Sequence, residues 1–239
     1  KELAKKEKII GETILESYHH IKTVLKKTKK YSGKFRTPKL KVIAGEKRKE
    51  TICRENNVLI KLDVEKVYFS PRMSSERKRI SQLIKPNESI LVMFSGSGAY
   101  PLVIAKNTKC REVYGIEINP IAHKYALENI KKNKLENKIK LFLGDVRKVM
   151  PKINKRFGRI LMPLPKGGEY FLSLALKFIK KNGIIHFYDF EHEDELYKAE
   201  EKVKKSCGKS KKKFKILKTI KCGQYSPRFY RVCVDFLVD

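Results

Sequence analysis

Residues 90–105 read ILVMFSGSGAYPLVIA, and the fold turns on this stretch. Ile90 to Phe94 form an apolar run of strand length, closed by Ser95-Gly96-Ser97-Gly98. The two glycines let the backbone turn tightly and approach a ligand closely before a helix begins near residue 99.

Outward from it, short apolar runs alternate with helical stretches. Strands are expected at 90–94, 112–118, 138–144, 159–162 and 183–190, and helices near 99–107, 119–133, 168–180 and 193–206. Such βαβ alternation predicts a parallel sheet covered on both faces. Residues 213–220 and 229–238 add an antiparallel strand pair. Ahead of this lies a different rhythm. Residues 6–29 place apolar side chains at 9, 10, 14, 18, 21, 24 and 25, a helical stripe with a basic opposite face. Residues 39–69 run as short β-like segments around AGEK and ENN. The fold class read here is α/β: a Rossmann-like, mostly parallel domain over 68–239 behind a small α+β module over 1–67.

The chain of 239 residues carries 56 Lys+Arg against 26 Asp+Glu, a formal net charge of +30. A thermophile-like surface would match lysine with glutamate; this one does not. Residues 1–50 hold 16 Lys/Arg against 6 Glu, and residues 201–222 hold 10 Lys against one Glu. Patches of that kind suit a polyphosphate partner. No apolar run approaches the ~18–20 residues of a membrane span, and no signal-peptide pattern opens the chain. The chain starts at Lys1, so a preceding portion is expected. Five cysteines, widely spaced and without C-x-x-C, argue against disulfides and zinc and for a reducing cytoplasm. No metal is expected.

The ends of the first strands carry the chemistry. Ser95 to Gly98 is G-x-G without a third glycine, so a dinucleotide fingerprint is incomplete. Glu117 closes the second strand 19 residues past Gly98, where a carboxylate accepts from two ribose hydroxyls. Asp145 closes the third in LGDV and can accept from an adenine amine. A nucleoside without phosphate fits better than a dinucleotide, and the combination suggests S-adenosylmethionine. The fourth strand stops at Pro163-Leu164-Pro165, whose two prolines cannot donate ladder bonds.

Several motifs then add a resemblance. KVYFSPRMSSERKRI, VMFSGSGAYPLVIA, VYGIEINPIAHKYALENIKKNKL, GDVRKV, MPLPKGGEYFLSLAL and IIHFYDFEHE together resemble the archaeal tRNA (guanine-37) N1-methyltransferases, most closely their wyosine-linked branch. The resemblance runs from about residue 33 to the C-terminus. It implies a class I S-adenosylmethionine-dependent methyltransferase fold and, as partner, the anticodon loop of tRNA at position 37. It also implies an additional N-terminal domain, expected to be missing or removed here, and an archaeal, cytoplasmic enzyme; a monomer is expected.

By motif match Glu76 is the general base and Arg36 neutralises charge on guanine O6. Pro163 joins them where many family members carry Asn; Pro-x-Pro is the usual form in the wyosine-linked branch. The resemblance also assigns Pro163 and Pro165 a rigid turn that holds the cofactor bent, its methyl exposed. The cofactor-binding set it implies is Phe69, Arg77, Phe94, Ser95, Gly96, Gly98, Glu117, Ile118, Asn119, Gly144, Asp145, Val146, Pro163 and Pro165. Without it, Glu76 reads as an exposed residue at a helix start, and Arg36 as a phosphate contact. Two other functions compete: an aminocarboxypropyl transferase of wybutosine synthesis, using the same cofactor, and a noncatalytic tRNA-binding module. A wyosine precursor as second acceptor stays open.

Overall fold

The computed structural model describes residues 6–239. Helix α1 (Glu7–Ser17) is followed by hairpin β1 (Thr23–Ser32) and β2 (Thr37–Gly45), then by hairpin β3 (Glu50–Glu55) and β4 (Val58–Asp63). A 3-10 turn (Pro71–Met73) leads into α2 (Ser74–Gln82). The rest alternates: β5 (Ser89–Met93), α3 (Ala99–Asn107), β6 (Glu112–Glu117), α4 (Pro120–Lys132), β7 (Ile139–Leu143), α5 (Val146–Ile153) and β8 (Phe157–Met162). After a second 3-10 turn (Gly168–Phe171) come α6 (Leu172–Phe178), β9 (Ile179–His192), α7 (Tyr197–Lys209), β10 (Phe214–Ser226) and β11 (Phe229–Val238).

The helical stripe expected over 6–29 is split. Its first half is α1, but its second half is strand β1. Thr23, Val24 and Thr28 are β-branched and favour extended backbone. A partner strand exists, too: β1 pairs antiparallel with β2 from Thr23↔Gly45 to Ser32↔Thr37. Helix α5, absent from the sequence reading, forms although Pro151 lies inside it, because Asp145 caps its start and Val146 and Met150 dock in the core.

Seven strands make one sheet in the order β10-β11-β9-β8-β5-β6-β7. Pairing from β9 through β8, β5 and β6 to β7 is parallel. Strand β11 runs antiparallel to both its neighbours, inserted between β9 and β10. Alternation along each strand feeds two cores. Ile90 and Val92 point to the layer of α3, α4 and β4, while Leu91 and Met93 point to that of α5, α6 and α7. Among the described residues no helix is long and apolar enough to cross a membrane.

The β3–β4 hairpin turns at Asn56-Asn57, both at positive φ (43° and 65°), as a two-residue hairpin loop requires. Among the described residues β4 pairs only with β3, and α4 completes its other edge with side chains. Asn133 pairs with Leu59 (2.9 and 2.7 Å) and Asn129 with Lys61 (2.8 and 2.9 Å), each accepting from a backbone N–H and donating to a carbonyl. Asn129 also donates to the Ser97 carbonyl at 3.1 Å, tying this hairpin to the glycine turn.

Candidate active site

The C-terminal ends of β5, β8 and β9 open into a cleft. Phe69, Arg77, Phe94, Ser95, Gly96 and Pro163, all expected at the site, line it together. So do Tyr68, Tyr100, Tyr188 and Arg231, which the sequence did not single out. Tyr188 lies in the IIHFYDFEHE stretch, whose strand alternation puts it on the α3 face; that was the available signal.

The glycine turn is built from both directions. Gly96 and Gly98 sit at φ +57° and +85°, where an L side chain is strained. A Cβ on Gly98 would also come within 3.3 Å of the Ala126 methyl, so this residue sets the approach of α3 to α4. Phe94 takes φ +60° without being glycine, at a cost of about 1–2 kcal/mol, and packs edge-on against Phe171 at 5.0 Å.

Glu117, 8% exposed, fastens this turn. Its Oε2 accepts from Gly96 N and its Oε1 from Asn119 N, both at 2.7 Å. Burial pushes its carboxyl pKa up, against the opposing pull of these N–H groups. A carboxylate has about four lone-pair sites, so acceptor capacity is left over for a ligand hydroxyl. Asn119 and Gly144 hold Glu117 in place. Asn119 caps α4 and donates to the Lys66 carbonyl at 2.9 Å; Gly144 N donates to the Glu117 carbonyl at 2.8 Å. Ile118 lies half-buried between them.

The third strand end is arranged differently. Asp145 caps α5, and its Oδ2 lies 2.6 Å from Arg147 Nη2. That bond holds its carboxyl below the usual range, with Lys34 adding to the effect. An adenine amine there would compete with Arg147. Val146 is buried in the core beside Met150 and is not part of the cleft wall. Pro165 is buried behind Pro163 in the turn after β8.

Glu76 is 3% exposed, where its residue pattern alone reads as an exposed helix start. Arg79 grips it bidentately at 2.7 Å, and the Tyr188 hydroxyl donates to its Oε1 at 2.7 Å. Glu76 therefore lies behind the cleft wall, and Tyr188 connects it to the opening. Arg79 also donates to Asp235 at 2.6 Å. Burial disfavours its charge, yet the bonds to Glu76 and Asp235 raise its pKa above the usual arginine value. Behind Asp235 stands His186, whose Nδ1 lies 2.5 Å from Oδ1 and whose Nε2 lies 2.7 Å from Arg159 Nη1. An arginine only donates, so Nε2 accepts and Nδ1 carries the proton. Burial keeps this ring neutral, its pKa lowered. His186, Cys233 and Asp235 bring their polar atoms within 4.8 Å of one another. Both nitrogens of His186 and both oxygens of Asp235 are already bonded, and two guanidinium groups adjoin them. This setting is hostile to a cation.

Arg77 is buried and paired through its Nε and Nη2 with the Glu55 carboxylate. Its guanidinium carbon lies 5.2 Å from the Phe69 ring centroid. Arg36 comes from far away in sequence. It sits at the β1–β2 tip with φ +51°, and its guanidinium donates to the Lys166 carbonyl, just past Pro163–Pro165. Burial lowers its pKa; Tyr68 and Glu169 favour its charge and Arg231 opposes it.

The fit to S-adenosylmethionine can be judged from groups left over. Ser95 Oγ and Ser97 Oγ are buried in the turn without hydrogen-bond partners. Glu117 keeps acceptor capacity, aromatic rings line the cleft, and Arg77 in its wall is already paired with Glu55. An uncharged nucleoside with hydroxyls to satisfy suits this donor and acceptor set.

Comparison with known proteins agrees. Residues 51–217 match the TRM5/TYW2 methyltransferase domain, and residues 1–48 match the TYW2 N-terminal domain. The tRNA (guanine(37)-N(1))-methyltransferase Trm5b of Pyrococcus abyssi is 40% identical over 233 residues, covering 97% of this chain and 68% of that protein. The tRNA (guanine(37)-N(1))/4-demethylwyosine(37)-methyltransferase Taw22 of Nanoarchaeum equitans is 37% identical over 248 residues, covering 83% of this chain and 81% of that protein. The crystal structure of M. jannaschii TYW2 in complex with AdoMet superposes with a TM-score of 0.76 at 33% identity, covering 84% of this chain and 90% of that one. With the strand order, the glycine turn and the Glu117 anchor, these matches place the chain in the TRM5/TYW2 methyltransferase family.

Proposed function

We propose that this protein transfers a methyl group from S-adenosylmethionine to N1 of guanosine 37 in tRNA, within wyosine-derivative synthesis. The observation that carries this reading is the meeting of two distant parts of the chain. Arg36, from the N-terminal hairpin, bonds the turn that ends β8, beside the cleft lined by the glycine turn. In this reading residues 1–67 support the RNA and residues 68–239 carry the cofactor chemistry. Strand β4 belongs to both, since Ile60 and Leu62 lie in the methyltransferase core.

When bound, S-adenosylmethionine supplies an electrophilic methyl group. Glu117 takes the ribose hydroxyls on its free lone pairs. Pro163 and Pro165 stiffen the turn against which the purine is held. The N1 proton leaves through the Tyr188 hydroxyl, whose own proton moves to Glu76 Oε1 along the 2.7 Å bond. Arg36 stabilises charge developing on O6.

Pro163 offers no side-chain amide to a guanine, which favours a second acceptor, a tricyclic wyosine precursor of the kind named for the Nanoarchaeum relative. Mass spectrometry of tRNA nucleosides after incubation with S-adenosylmethionine tests both. The expected product is 1-methylguanosine at position 37. An aminocarboxypropyl adduct, or no modified nucleoside, overturns the reading.

A further inference from the structure

The C-terminal hairpin carries an aromatic and cationic surface beside the cleft that none of the roles above uses. Phe190 lies two residues beyond Tyr188 on β9, and Arg231 lies two before Cys233 on β11. Strand alternation puts both on the sheet face that forms the cleft. Arg231 stands 5.2 Å over the Phe190 ring and donates to the Tyr68 hydroxyl at 2.8 Å, while its Nε is buried without a partner.

Tyr225 completes the surface. Gln224 pairs with Tyr230 and Ser226 with Phe229, so Tyr225 is the bulged residue of the β10–β11 ladder. A bulge re-aims a side chain, and here the Tyr225 ring lies over Phe190, centroids 4.3 Å apart and tilted 34°. It remains 65% exposed, one aromatic face covered by protein and the other open to a partner. Lys221 sits 4.4 Å over the neighbouring Tyr230 ring.

We propose that the open face of Tyr225 stacks on the nucleobase adjoining the target nucleotide, with Arg231 Nε donating to the phosphate between them. This rests on the tRNA reading above. To present N1, the target purine must leave its stack, and that exposes a face of its neighbour. An aromatic ring whose neighbours Phe190 and Tyr230 carry Arg231 and Lys221 replaces the lost stacking partner without reading sequence. The net charge of +30 favours a phosphate-bearing partner over an acidic peptide, which has no flat face to cover.

The test uses an anticodon stem-loop with 2-aminopurine on either side of position 37, bound to wild type, Tyr225→Phe and Tyr225→Ala. In the wild-type and Phe complexes the stacked probe is quenched; in the Ala complex it brightens. RNA affinity falls about 5- to 100-fold in Tyr225→Ala, the range for one stacked base. The salt slope stays unchanged, because no cation is removed. Calorimetry with S-adenosylmethionine and a melting curve remain at wild-type values. Equal affinity and equal emission in the Ala variant overturn the proposal while leaving the enzyme reading intact. A wild-type protein that binds no stem-loop sinks both.

Discussion

Replacing Glu76 by Gln keeps the shape of the side chain and removes its ability to take a proton. The structure sets two separate magnitudes for this change. The first is chemical: loss of general base catalysis slows methyl transfer by ~10²–10⁴. The second is structural. Glu76 accepts three hydrogen bonds, two from Arg79 and one from Tyr188. A Gln oxygen can keep the Tyr188 bond, but its NH₂ faces an arginine donor. Arg79 is not abandoned, since Asp235 lies 2.6 Å from its Nη1. The stability cost therefore falls near the ~1–3 kcal/mol of an unsatisfied buried group, below that of a stranded charge. For a chain of this length that lowers the melting temperature by a few degrees, at ~2–4 °C per kcal/mol.

Single-turnover methylation of a guanosine-37 transcript, at saturating cofactor and well below the melting transition, reads the chemical effect alone. Cofactor and RNA affinities should hardly move, because the lost interaction forms mainly in the transition state. Tyr188→Phe should reproduce most of the rate loss without touching the Arg79 pair. Residual activity of the Gln variant should climb with pH, as solvent removes the N1 proton unaided. A Gln variant that turns over at near the normal rate would refute the reasoning: Glu76 would then be only an anchor for Arg79.

Glu117→Ala strands the N–H groups of Gly96 and Asn119 and removes two acceptors, so S-adenosylmethionine binding weakens by ~2–4 kcal/mol with RNA affinity nearly intact; unchanged calorimetric affinity would exclude the residue from the site. RNA binding should fall steeply with salt. Neutralising Lys34, Lys166 and Lys221, exposed around the cleft, should flatten the log–log slope by about 2 units at ~0.7 per single-strand phosphate. The same change at Lys211, Lys212 and Lys213, beyond the far end of β10, should flatten it less; the reverse order would place the RNA on the opposite sheet edge. His186 is held neutral by burial, so its folded pKa lies below the ordinary value of 6.5. Protons bind the unfolded chain first, and stability is full above pH ~6.5 and lost as pH falls toward the folded value. Melting curves across this window should decline in the wild type and flatten in His186→Asn; parallel curves would contradict it.

The sequence by itself determined the parallel sheet, the glycine turn and the place of Glu117. Each depends on short-range facts: an apolar period, glycines that take positive φ without strain, and a carboxylate one βαβ step further on. Tertiary structure decided the rest, because the deciding interactions join residues with no local relation. Residues 23–29 end the helical stripe read over 6–29, yet they lie in a strand because β2 offers a ladder. Arg36 reaches the Lys166 carbonyl from 130 residues away, and Arg79 reaches Asp235 across 156. Only the insertion of β11 between β9 and β10 places Asp235 beside His186 and Arg231 beside Phe190. An isolated glutamate at a helix start reads as solvent-exposed; Glu76 is buried because a distant tyrosine and an arginine held by a distant aspartate together satisfy its charge.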